Sequence, residues 1–270
     1  MGEANACAAV RRIATAVDWP CELHTLFRDW NLGCKAGVSS AITWFFQNEE
    51  QGIILEDDVL PMPSFFRYCD ELLDRYREDE RIAMISGCNL IANRFTPRAS
   101  YFFSSYNHIW GWASWRRAWR HYDVRMSGWS EWVNGGGLTR VFRGDRLTEK
   151  YWRLALEGVV SRNVDTWDHQ WTFACWKTGG MCVLPARNQT QNLGFGAGAT
   201  HTTSNVPSYV KESKPMLLDF PLVHPKDVVE DEGAREMINR HIYKITNVGL
   251  LVRTILACPF AVALLRALQK

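Results

Sequence analysis

The stretch Gly52-Ile53-Ile54-Leu55-Glu56-Asp57-Asp58-Val59 limits the folds open to this chain more than any other, because an unbroken aliphatic run ends in three consecutive carboxylates. Aliphatic residues without polar alternation suit a central parallel strand covered on both faces, with the acids emerging at its carboxyl end. In open α/β sheets that end is where ligands bind. Side chains alternate along a strand, so Glu56 and Asp58 are expected to point one way and Asp57 the other. Carboxylates this close raise one another's pKa unless a cation or a basic partner offsets the repulsion. Hard oxygen donors favour Mg2+ or Mn2+. The same residues also read as a solvated acidic turn, with Pro61 and Pro63 ending the element.

On either side of the acids the apolar pattern alternates between helix and strand. Ala6, Val10, Ile13 and Val17 recur at helical spacing and predict an amphipathic helix over residues 4–17. Residues 21–27 alternate and predict a strand, and Asn31-Leu32-Gly33 turns the chain into a helix over about 35–49. Beyond the acids, Ser64 falls near an N-cap, and Phe65, Phe66, Cys69, Leu72, Leu73 and Tyr76 form one helical face. Residues 81–87 follow as a strand. Such alternation with short connections predicts an α/β fold with a mostly parallel sheet flanked by helices.

From 102 to 119 the chain turns aromatic and basic. Trp110 and Trp112 share a face if this segment is extended, whereas Trp112, Trp115 and Trp119 share one if it is helical; a ligand groove and a core-packed helix both fit. Gly135-Gly136-Gly137 predicts a loop, and with no Lys-Ser/Thr after it this is no phosphate loop. Helices are expected over about 149–157 and from about 165 through Lys177, with a strand at 181–184. Asp168 stands at the head of the second helix, where an acid is commonly a cap. The glycine-rich run 192–202 allows a ligand close approach and ends in His201, either a metal ligand or a structural histidine. Residues 207–225 read as an extended tail, and helical periodicity returns from about 230.

The formal charge of +2 over 270 residues gives no electrostatic signature for nucleic acid. The eight cysteines form no CxxC pair and follow no signal peptide, so reduced thiols in a cytoplasmic protein are expected. Residues 248–270 are apolar but interrupted by Arg253, Pro259 and Arg266, too short a run to span a bilayer. They are expected either to dock on the domain or to make peripheral contact with the inner face of the membrane. Thirteen tryptophans suit sugar-binding platforms as well as a core.

Taken in order, the motifs at 31–35, 53–58, 110–115, 167–171 and 194–196 resemble those of GT-A glycosyltransferases, in particular the family 2-like and N-acetylglucosaminyltransferase I types. The resemblance covers most of residues 20–205. It implies a GT-A-like, Rossmann-like domain over 1–205 and a C-terminal helical extension over 206–270. It also implies that Glu56-Asp57-Asp58 is the D-x-D-type motif. Asp58 then binds Mn2+ or Mg2+ on the donor diphosphate, Glu56 and Asp57 contact the donor, and His201 completes the metal or phosphate site. Asp168 is the implied base that deprotonates the acceptor hydroxyl. Trp110, Trp112 and Trp167 are expected to stack on acceptor sugars, and Lys35 and Arg116 to contact donor phosphates. The family's first strand and loop, which hold the nucleoside base, are expected to be missing from this chain.

The resemblance implies an inverting, metal-dependent hexosyl- or N-acetylhexosaminyltransferase. It would use a nucleotide-diphosphate sugar, expected to be a UDP-sugar, and act in polysaccharide biosynthesis on a glycan or lipid-linked glycan acceptor. The alternative is a catalytically inactive carbohydrate-binding or scaffold protein derived from the same fold.

Overall fold

A computed structural model describes residues 3–162, 164–195 and 206–250. In chain order its elements are α1 (Glu3–Thr15), α2 (Gly33–Asn48), β1 (Gln51–Ile54), β2 (Val59–Pro61), α3 (Pro63–Arg75), β3 (Ile82–Ser86), β4 (Tyr101–Ser104) and β5 (Trp112–Trp115). There follow α4 (Arg116–Trp119), α5 (Trp129–Asn134), α6 (Gly137–Phe142), α7 (Arg146–Arg162), α8 (Asp168–Thr178), β6 (Met181–Pro185), β7 (Thr190–Asn192), α9 (Ser208–Glu212) and α10 (Glu232–His241). His201 and residues 251–270, with the helical tail and membrane contact expected there, lie outside the described residues.

The fold is α/β, and its five-stranded sheet has the order β1-β5-β3-β6-β4. The sheet is mixed, which corrects the mostly parallel expectation. β3 and β6 are parallel neighbours, while β1·β5, β3·β5 and β4·β6 pair antiparallel. Thus β1, β3 and β6 run the same way, but β5 separates two of them. A continuous apolar run does not reveal this, because any strand covered on both faces loses its alternation whatever its neighbour's direction.

Rows of side chains across the sheet divide the interior in two. Ile53, Ala113, Ile85, Val183 and Phe103 face α3, whose Phe65, Tyr68, Cys69 and Leu72 are fully buried. Trp112, Met84, Cys182, Leu184 and Phe102 face the opposite layer, where Trp119, Trp167 and Trp171 are buried. Residues beyond 206 join both cores, with Leu218 and Leu222 on the α3 side and Ala234 and Ile238 on the other. The extended surface tail expected over 207–225 therefore contains a short helix and buries two leucines.

Four further expectations change. β1 is the edge strand, only partly buried, and Leu55 after it is exposed. Residues 21–27 form no strand, and Leu23 and Phe27 remain exposed there; alternation supplies a face but no pairing partner. The triple glycine is not one loop, since Gly135 and Gly136 join α5 to α6 and Gly137 begins a helix. Met62 caps α3 with Pro63 behind it, and the Ser64 hydroxyl donates instead to Gln189 Oε1 at 2.6 Å.

Candidate active site

β1, β3 and β6 all end at one edge of the sheet, and the acids sit there. The amide of Val59 donates to the Glu56 carbonyl at 3.1 Å, so the three carboxylates lie in a tight turn between β1 and β2. Exposure follows the expected alternation: Asp57 is exposed, while Glu56 and Asp58 are partly buried. Val59–Pro61 pairs antiparallel with Thr190–Asn192, and this ribbon carries residues 193–195 over the turn. Leu193 donates its amide to the Asp58 carbonyl at 2.7 Å. Gly194 lies against the Asp58 carboxylate so closely that a Cβ there would overlap Asp58 Oδ2.

Asp168 begins α8 and belongs to the same cluster. Burial pushes the Glu56 carboxyl up, and the charges of Asp58, Asp168 and Asp57 raise it further, to about 7. Burial and the charge of Asp57 likewise raise Asp58. Asp168 goes the other way. Burial raises it, but hydrogen bonds from His169 and Thr166, with the His169 charge, overcome that effect and hold it at about 2. His169 Nδ1 lies 3.0 Å from Asp168 Oδ1, and the Thr166 hydroxyl donates to the same oxygen. The pair shifts consistently: burial alone would lower His169, yet the carboxylate raises it.

The amino end of α2 closes the cluster. Its N-cap residue, Leu32, has no side-chain acceptor. Asp165 replaces it from 130 residues away, accepting from Cys34 N at 3.0 Å and Lys35 N at 2.8 Å. Burial and then the charges of Glu56, Asp165 and Asp168 push the Cys34 thiol up to about 11. Asp165→Ala should therefore destabilise the protein by about 1 kcal/mol, a typical capping loss, measured as a lower urea midpoint at unchanged slope.

The other sequence candidates divide by position. Trp110 is partly buried and lines a cleft of about 470 Å3 beside the acid turn, with Leu193 and Phe195 in the same wall. Trp112 and Trp167 are 0% and 2% exposed and stack on each other at 5.9 Å inside the core, so neither offers a face to a sugar. That corrects their expected acceptor role, because indoles on a buried sheet face go to packing first. Arg116 follows β5 at the opposite edge of the sheet, and its Nε donates to the Phe46 carbonyl at 2.5 Å. Lys35 lines a separate cavity with Arg125 and Gln170. Arg116 is therefore not brought to the acids, whereas the Lys35 backbone amide meets Asp165 at the margin of the cluster.

Sequence reading missed Asp165, Thr166 and His169 as partners of the cluster, although Asp165 and Thr166 lie just before the 167–171 motif and His169 lies within it. Among the described residues, no basic side chain forms an ion pair with Glu56, Asp57 or Asp58. No three His, Cys, Asp or Glu side chains among them converge to hold a metal unaided. The donor set nevertheless fits a hard cation that takes one or two carboxylates and completes its shell with water and ligand oxygens, the usual habit of Mg2+. The chain matches no protein-family model, and no curated protein matches it significantly.

Proposed function

We propose that this chain is an inverting sugar transferase of the GT-A kind, using a nucleotide-diphosphate sugar, with UDP-sugar the first choice, and Mn2+ or Mg2+. One observation supports this above the others: the acid turn after β1 and the Asp168 head of α8 share one electrostatic environment at the carboxyl end of the sheet. Such a cluster combines a cation-seeking pair with a carboxylate kept ionised by its own hydrogen-bond partners.

Asp58 would hold the ion, with Glu56 and Asp57 left to the donor. When bound, the ion supplies positive charge against the diphosphate leaving group. Asp168 takes the acceptor proton. At a pKa of about 2 it is a weak base towards a free hydroxyl. It becomes competent as the hydroxyl oxygen bonds to the anomeric carbon and turns strongly acidic, so proton transfer follows bond formation. Thr166 and His169 fix the carboxylate for that moment.

Calorimetric titration of uridine diphosphate, with and without Mn2+, tests the donor site. Mn2+-dependent binding should weaken by about a hundredfold or more in Asp58→Ala, a loss of roughly 2.7 kcal/mol. Gly194→Ala should also weaken it, because the added methyl displaces the Asp58 carboxylate. Binding that ignores both substitutions overturns the assignment. The non-catalytic carbohydrate-binding reading draws on a different observation, the Trp110 cleft, whose described lining includes none of the acids.

A further inference from the structure

The cleft lined by Trp110 carries three kinds of group that the acid turn does not employ. Trp110 meets Phe195 edge to face, with centroids 5.7 Å apart at 87°, forming an aromatic corner. Ser213 is 4% exposed in the same wall, and its buried hydroxyl has no hydrogen-bond partner among the described residues. Lys211 and Lys214 are exposed along the lining, and among the described residues neither is paired with a carboxylate. Leu193 ties this wall to the acid turn through its amide on Asp58.

Each group asks for a different part of one ligand. An indole corner packs against the C–H face of a pyranose ring. A buried hydroxyl without a partner is uncommon in folded proteins, and a sugar hydroxyl would satisfy it. Two ammonium groups without a carboxylate partner among the described residues, on a chain of formal charge only +2, make a local positive field that attracts an anion. A cleft of about 470 Å3 is the size of a small-ligand site rather than a packing defect.

We propose that this cleft is the acceptor subsite and that it selects an acidic glycan, a chain of pyranoses bearing carboxylates. The proposal rests on the transferase reading for the word acceptor, because the shared wall would lead the end of a bound chain to the acid turn, whose electrostatic environment Asp168 shares. Selection for negative charge rests on the cleft alone. Trp110 and Phe195 hold a ring, Ser213 reads a hydroxyl, and Lys211 and Lys214 discriminate acid from neutral sugar.

The test is a titration of the full chain, without nucleotide or metal, with a trimer of galacturonate and with its neutral methyl ester of the same shape. The acid should bind at least about tenfold more tightly than the ester. Lys211→Gln/Lys214→Gln should abolish that difference, and Trp110→Ala should weaken both ligands. Added salt should weaken the acid alone, because screening acts on charge. Equal affinity for acid and ester, a difference that survives the double lysine substitution, or no binding of either trimer overturns the proposal. Uridine diphosphate titration separates the two readings. Trimer binding without nucleotide binding removes the transferase and leaves the acidic-glycan site, whereas nucleotide binding without trimer binding removes the cleft assignment alone.

Discussion

Trp112→Ala should destabilise the protein by about 3–5 kcal/mol, the range for deleting a large aromatic from a packed core. The indole is completely buried and packs within 5.7 to 6.1 Å, centroid to centroid, of Trp171, Trp167 and Trp119. Trp112 sits where β5 pairs with both β1 and β3, so the cavity opens where three strands and α8 converge. Trp112→Phe should cost much less. It keeps most of the volume and removes the indole N–H, which is buried and unpartnered among the described residues. Urea unfolding of both variants measures this, and similar losses in the two would show that volume is not what Trp112 supplies.

The reason Trp112 was open to a sugar-binding reading is instructive about what sequence encodes. In Trp110-Gly111-Trp112 both indoles share a face of an extended segment, and only the end of the strand separates them. Trp112 is the first residue of β5 and is buried between layers; Trp110 lies before the strand and reaches the cleft. Gly111 between them adopts φ +75, a left-handed turn that a run of alternating residues does not announce. Elements with a strong period were legible: α2, α3, β3, α8 and β6 fall close to their expected ranges, because local apolar spacing suffices to define them. Strand order was not legible, since the insertion of β5 between β1 and β3 depends on contacts 60 residues apart in the chain.

The candidate site divides the same way. The carboxylate run and Asp168 could be found because carboxylates after an apolar run, and at the head of a helix, are conspicuous in sequence. Their convergence could not, because it depends on α8 packing next to the end of an edge strand. Asp165 is the clearest case: its role is to cap a helix 130 residues earlier, where Leu32 leaves the amides bare. No local pattern contains that information. Arg116 failed for a related reason, since a basic residue near a motif in sequence can lie at the opposite end of the sheet.

Asp168→Asn should reduce sugar transfer about 10²- to 10⁴-fold, the contribution expected of a positioned general base, with donor affinity little changed. Asparagine keeps the shape and can still accept from Thr166, but it cannot take a proton and no longer pairs with a protonated His169. A second readout does not depend on turnover. The Asp168 charge helps raise Glu56 to about 7, so its removal should lower the Glu56 titration, followed by carboxyl carbon NMR. The sign carries over to stability. An unfolded Glu loses its proton near 4.5 while folded Glu56 keeps it to about 7, so the folded state binds more protons in between. Stability contributed by this group therefore falls as pH rises across that window, and Asp168→Asn should make the fall smaller. Reduced transfer with an unmoved Glu56 titration would separate the two carboxyls and leave Asp168 acting elsewhere than at the acid turn. A moved titration with transfer intact would keep the cluster and pass the base role to Glu56, whose pKa lies near neutrality.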